Sequence, residues 1–351
     1  MGFSERLLGK KNVNGKPHIE SIMPSAALPG GEVRITGSGL KPPDLNRPRV
    51  QFGHTEGSIV ISSDDVVIVK VPEGASSGPV IVSANGHESN GHELKVAIPV
   101  AENLHPVTNP ALDAQANIYA TVSGSRGQKV PVSIFKIDTA FKVKPFLADL
   151  MNPTGIAFDH AGEMYVSSRY DGTVYRVDPH GAMSQFAAGM GVATGIAFDR
   201  AGNLYVGDRS GTIFKIAKSR ETFVFATLEP SVSAYHLAFA QNGDLYVTGP
   251  TTSSFDAVYR IDSQGTVHEF YRGLGRPQGM AFDSSGNLYV AASFAGKRGI
   301  VKITPDKQVS LAVAGQGIVG LAFAPGKAAV VATSSAVHHL AWGIEGMPLF
   351  G

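Results

Sequence analysis

The chain has no cysteine among its 351 residues. That excludes disulfides, thiolate metal sites and a cysteine nucleophile, and it is compatible with any compartment. Charge of one sign is lacking too: 30 Lys and Arg stand against 29 Asp and Glu, a net +1. A nucleic-acid-binding chain would show a marked basic excess. No apolar run approaches the roughly 18 residues that would span a membrane as a helix. Residues 1–11 lack the apolar stretch of a secretory leader, so the expected location is the cytoplasm unless a leader was removed. Long 3.6-residue periodicity is also missing, which excludes helical repeats. There is no G-x-x-x-x-G-K-[ST] loop, no H-E-x-x-H motif and no G-x-S-x-G elbow.

What the chain does have is a repeat. Gly155-Ile156-Ala157-Phe158-Asp159 through Met164-Tyr165-Val166 returns almost unchanged as Gly195-Ile196-Ala197-Phe198-Asp199 through Leu204-Tyr205-Val206. Further copies start at His236, Gly279 and Gly320, and a worn one at Asn109, so the period is 40–46 residues. Each copy holds two short apolar runs joined by a turn signal, Asp-x-x-Gly followed by a polar residue, then two more alternating runs. Four strands in about 40 residues describe a propeller blade, and six copies describe a six-bladed ring. Two closures of the ring are open: Pro348-Leu349-Phe350 completes the last blade, or a strand near Ala97–Val100 latches it.

Before the ring the pattern changes. Residues 1–16 read as a lead-in. Residues 17–100 carry several short alternating runs separated by Gly, Pro and Asn, which suggests an immunoglobulin-like sandwich. The fold class is therefore all-β, a sandwich of residues 17–100 followed by a propeller of residues 105–351, with a short link between them.

Both parts resemble known families. Ile22-Met23-Pro24, Pro29-Gly30-Gly31, Ile35-Thr36-Gly37-Ser38-Gly39, Val50-Gln51-Phe52-Gly53 and Val71-Pro72-Glu73-Gly74 resemble the IPT/TIG domain. That resemblance implies a spacer or interaction module without catalytic residues. Asn152-Pro153-Thr154-Gly155, Pro277-Gln278-Gly279 and the Gly-Asn-Leu-Tyr-Val repeats resemble NHL and gluconolactonase-like (regucalcin-like) propellers. The gluconolactonase resemblance implies lactone hydrolysis and a divalent cation. However, the Glu-Gly-Pro, Gly-Arg-x-Asn-Asp and Ser-Pro-Asp-Gly motifs that carry that site are missing here. Asp208 is the one inner acid, with Asn109 and His236 as helpers, which is poor provision for calcium. No metal ligand or cofactor is assigned, and a divalent cation stays open through the resemblance alone.

The loops of the two propeller faces differ. The first-to-second connections are short and repetitive. The second-to-third and inter-blade loops are irregular and hold Arg126, Lys129, Arg169, Arg209, Arg272, Arg276, Lys297 and Arg298 against Glu102, Asp149, Asp171, Asp208, Glu229 and Asp256. Function tends to sit on variable loops over a rigid scaffold, and guanidinium forks suit carboxylates and phosphates. The site is therefore expected at the channel mouth on the irregular face. Arg126, Arg169, Arg209, Tyr235, Arg276, Gln278 and Arg298 would bind a small anion. His236, which stands where four other repeats have glycine, and Asp208 are the acid–base pair. The alternative partner is a protein held on the same Arg-rich face by a non-catalytic platform. A lyase of the streptogramin-cleaving kind needs more channel histidines than His236 provides.

Overall fold

A computed structural model describes residues 16–42 and 47–348. The lead-in and the Leu349-Phe350 closure therefore fall outside the described residues. The chain divides into two compact units, Met1–Ile98 with Ala312–Gln316, and Pro99–Leu311 with Gly317–Gly351. The described residues form strands and turns, with no helix among them.

The first unit contains two antiparallel-rich layers. One orders the strands His18–Met23, Glu32–Ser38, Val66–Lys70 and Ser58–Ser62. The other orders Ala26–Ala27, His92–Val96, Gly78–Ala84, Arg49–Phe52 and Thr55–Glu56. Alternation along each strand buries one face: Val33, Ile35, Val67 and Val69 from the first layer, and Val50, Phe52, Val80, Val82 and Leu94 from the second.

The second unit is the propeller. Its inner strands are Ala111–Leu112, Pro153–Phe158, Ala193–Phe198, His236–Phe239, Met280–Phe282 and Ile318–Ala324, each the end member of its own sheet. The sixth blade is closed by Ile98–Glu102, which pairs with Ala336–Leu340. Residues read from sequence as a link are thus a strand. This pairing corresponds to the latch near Ala97–Val100, one of the two closures that the sequence leaves open.

One local device repeats around the ring. Asp159 Oδ1 accepts the N–H of Ala161 and Glu163, both at 2.9 Å, while its Oδ2 accepts the Tyr165 hydroxyl. Asp113 with Tyr119, Asp199 with Tyr205, and Asp283 with Tyr289 repeat the arrangement. Each aspartate closes its turn and satisfies a buried phenol at once. The tyrosine ring then meets the inner-strand phenylalanine of the next blade: Tyr165 with Phe198 at 4.9 Å, Tyr205 with Phe239 at 5.0 Å, Tyr246 with Phe282 at 4.9 Å and Tyr289 with Phe323 at 5.4 Å. These edge-to-face contacts bind blade to blade. The seam between blades six and one departs from the pattern on both sides. Leu112 replaces the phenylalanine and Val330 the tyrosine, and the two share an aliphatic cluster with Ala101 and Leu104.

Candidate functional site

The two ends of the central channel are built differently. Toward the irregular face the inner strands have Gly155, Gly195, Gly279 and Gly320 at or beside their first residues, and there they approach backbone to backbone. A Cβ on Gly155 would lie 2.7 Å from Thr194 O, and one on Gly279 would lie 2.5 Å from Gly320 Cα. Only glycine permits such approach. Hydrogen bonds cross the junctions: Thr108 Oγ1 to Thr154 O at 2.6 Å, Gly195 N to Tyr235 O at 2.9 Å, Thr248 Oγ1 to Gln278 O at 2.6 Å and Gly279 N to Val319 O at 3.0 Å. Asn109 bolts the remaining gap, donating to Met280 O at 2.9 Å and accepting from Leu321 N at 3.1 Å. Six strands spaced by roughly 5 Å stand only about 5 Å from the axis, too near to leave a ligand-sized opening.

Below this collar the channel widens and opens on the side of the repetitive turns. It holds a cavity of about 520 Å³ lined by Ile156, Phe158, Ile196, Phe198, Leu237, Phe239, Met280 and Phe323, with His160, Arg200, Gln241 and Asn242 at the rim. The cavity therefore lies on the face opposite to the one expected from the loops. Loop irregularity identifies where side chains vary, but the glycine collar decides which end of the channel is open.

The proposed acid–base pair is dispersed. His236 is 3% exposed, its Nε2 has no hydrogen-bond partner, and burial pushes its pKa down to about 3. Asp208 accepts Val192 N at 2.8 Å and the Ser210 hydroxyl, so it pins the loop entering blade three. No hydrogen bond joins the two residues. Tyr235 is 1% exposed, donates its hydroxyl to Glu229 O, and packs its ring where a Cβ on Gly207 or Gly249 would otherwise reach. As placed, its phenol is satisfied within the protein. Gln278 contributes backbone bonds, its N–H to Ala291 O and its carbonyl to Thr248. Arg276 and Arg298 are exposed, with no ion pair among the described residues.

Three of the expected arginines do come together. Arg169 donates Nη2 to Gly124 O at 2.6 Å, which docks it on the loop that carries Arg126. Asn152 holds the same loop by accepting Gly127 N at 2.7 Å and donating to Gly124 O and Ser125 O, both at 3.0 Å. Arg209 reaches Val232 O at 2.9 Å. Burial, then the positive charges of Arg209 and Arg126, push the Arg169 pKa below its ordinary value. Its buried Nε has no partner. Lys129 and Arg272 are paired, with Asp149 and Glu269 at 2.6 Å, but no ion pair neutralises Arg126, Arg169 or Arg209 among the described residues. Asp171, two residues from Arg169, is engaged elsewhere: it accepts Thr173 N and the Tyr175 hydroxyl.

Among the described residues no three His, Asp or Glu side chains gather into a metal-holding group. The two best donors are committed, Asp208 to its loop and Asn109 to the collar. The residues present therefore do not fit the divalent cation that the gluconolactonase resemblance implies.

With this geometry in place, the comparisons define the class. Residues 17–96 match the IPT/TIG domain family. No curated protein matches the chain in sequence. Among solved structures the fold is similar to a putative gluconolactonase, with TM-score 0.60 and 16% identity over 72% of this chain and 94% of that one. It is similar to a gluconolactonase from Xanthomonas campestris, with TM-score 0.57 and 14% identity over 70% and 88% of the two chains. An auxiliary nutrient binding protein from Bacteroides thetaiotaomicron aligns over 94% of this chain and 98% of that one, with TM-score 0.55 and 12% identity. Residues 17–96 are thus similar to the IPT/TIG family, and the ring that follows has the fold of a six-bladed propeller like those of the gluconolactonase structures.

Proposed function

We propose that the propeller is a binding module for a small anion, held on the irregular face by Arg126, Arg169 and Arg209. One observation carries the reading: guanidinium groups from three blades share one locality with no acid paired to them, and one Nε is buried without a partner. An arrangement of like charges costs energy unless an anion completes it. The carboxylate or phosphate of a sugar acid suits such a cradle. The Bacteroides nutrient binding protein, similar over nearly the whole chain, supports binding rather than turnover. Lactone hydrolysis draws support from the gluconolactonase likeness, yet His236 is sealed and Asp208 is committed, so neither expected general base is free to act. Calorimetric titration with gluconate and with phosphate tests the reading. Binding that is lost in Arg169→Ala and Arg209→Ala supports it; equal heats in wild type and both variants overturn it.

A further inference from the structure

The open end of the channel offers something the arginines do not: free strand edges. Asp159, Asp199 and Ala240 donate their N–H groups to the carbonyls of Glu163, Asn203 and Asp244, just before the second strands, at 3.0, 2.9 and 2.9 Å. Strand alternation then turns the backbone of Phe158, Phe198 and Phe239 the other way, into the channel. Each of these inner strands is the end member of its sheet, so its outward N–H and C=O groups have no strand partner. At blade five the chain itself shows what such an edge accepts. Residues 345–347 lie antiparallel to it: Ser284 N donates to Glu345 O at 2.9 Å, Met347 N donates to Phe282 O at 3.0 Å, and Asp283 bridges Gly346. Met347 and Pro348 line the cavity.

We infer that the channel captures the end of an extended apolar peptide by strand addition to the inner edges of blades two to four. The tail at blade five is the internal precedent for that mode. The collar closes the far end, so a peptide enters terminus first rather than threading through. Ile196 to Arg200 offers roughly 13 Å of edge at about 3.3 Å per residue, enough for a few residues. Main-chain bonds supply affinity, and the phenylalanine-lined wall selects apolar side chains. At the rim, Arg200 has no ion-pair partner among the described residues, and His160 stands at the same position one blade back. Asp199 is occupied by Asn203 and Tyr205. A peptide antiparallel to these strands runs from rim to collar, as residues 345–347 do, so an acidic side chain at the rim, just before the apolar end, is favoured.

The test uses the full chain and a Glu-Val-Ile-Phe-Val peptide with fluorescein at its N-terminus and an amide at its C-terminus. The expected result is saturable binding, weakened at least about tenfold when two alternate peptide nitrogens are methylated, because each lost backbone bond costs about 1 kcal/mol, a several-fold loss. Arg200→Glu weakens binding at least about threefold, and hydrogen exchange slows at Ile196, Phe198, Leu237 and Phe239. Arg169→Ala leaves peptide binding unchanged, which separates this site from the anion cradle. Equal binding of the methylated peptide would overturn the inference in favour of simple apolar partitioning. Occupancy by anilinonaphthalene sulfonate with no peptide binding would make the cavity a small-molecule pocket instead. Peptide binding seen only after deletion of residues 349–351 would assign the channel to the chain's own end, and would overturn it too.

Discussion

The two faces of the propeller use their charged residues in opposite ways. On the repetitive face the aspartates are fully engaged: Asp113, Asp159, Asp199 and Asp283 each close a turn and hold a tyrosine. On the irregular face Arg169 and Arg209 stabilise loops through carbonyl contacts, and they and Arg126 have no ion pair among the described residues. Acid chemistry here is architecture, and the unpaired basic chemistry is what the proposed anion site rests on. The same contrast separates the ends of the channel, where one is sealed by glycines and the other is open with bare strand edges.

The comparison breaks most easily at the collar. Gly195→Val forces a side chain into Tyr235 O and His236 Cα, and overpacking against fixed backbone costs about 3 kcal/mol or more. Denaturant unfolding reads this loss. Asp199→Ala removes two turn bonds from Asn203 and leaves the Tyr205 hydroxyl without its acceptor. A loss of about 2–3 kcal/mol is expected, seen as a lowered denaturant midpoint at unchanged slope.

Smaller again is a pH effect. The folded pKa of His236, about 3, lies below its unfolded value of 6.5, so the buried ring is neutral. Its contribution is present above the unfolded value and is lost as pH falls from about 6.5 toward 3. Each proton taken up only by the unfolded chain costs about 1.4 kcal/mol per pH unit. His338 and His339 are also lowered, by burial, and add slope of the same sign. His236→Asn should therefore flatten the melting temperature against pH below about pH 6 without abolishing the slope; an unchanged profile would show that His236 is not sealed. Smallest for stability is Arg169→Ala, within about 1 kcal/mol, although it should remove anion binding. A variant that unfolds instead would make that arginine architectural and erase the contrast between the faces.

Much of the fold was legible because the repeat is written in residue types. Gly-x-Ala-Phe-Asp and Leu-Tyr-Val recur, and the turn aspartates and strand alternation fix four strands per blade. The worn copies at Asn109 and Gly320 were legible as copies, but not as a matched seam, because Leu112 and Val330 compensate only once they face each other. The candidate site was legible in part. Arg126, Arg169 and Arg209 occupy equivalent second-to-third loops, so position in the repeat brings them together. His236 was read as projecting into the channel because it replaces a glycine. In the structure the neighbouring backbones crowd that level, and the ring is enclosed. Which end of the channel opens depends on how closely four distant glycines, with Asn109 and His236, approach one another, and no single segment states that. The Phe-lined wall is visible in the sequence only as a repeated letter, because each phenylalanine also serves a blade junction.

A bromide anomalous map of crystals grown in sodium bromide measures the central claim most directly. The account predicts a peak within about 3.5 Å of the Arg169 guanidinium, shared with Arg126 or Arg209 and missing in Arg169→Ala. A map with peaks at exposed lysines and Arg298 but none at the three arginines would contradict it.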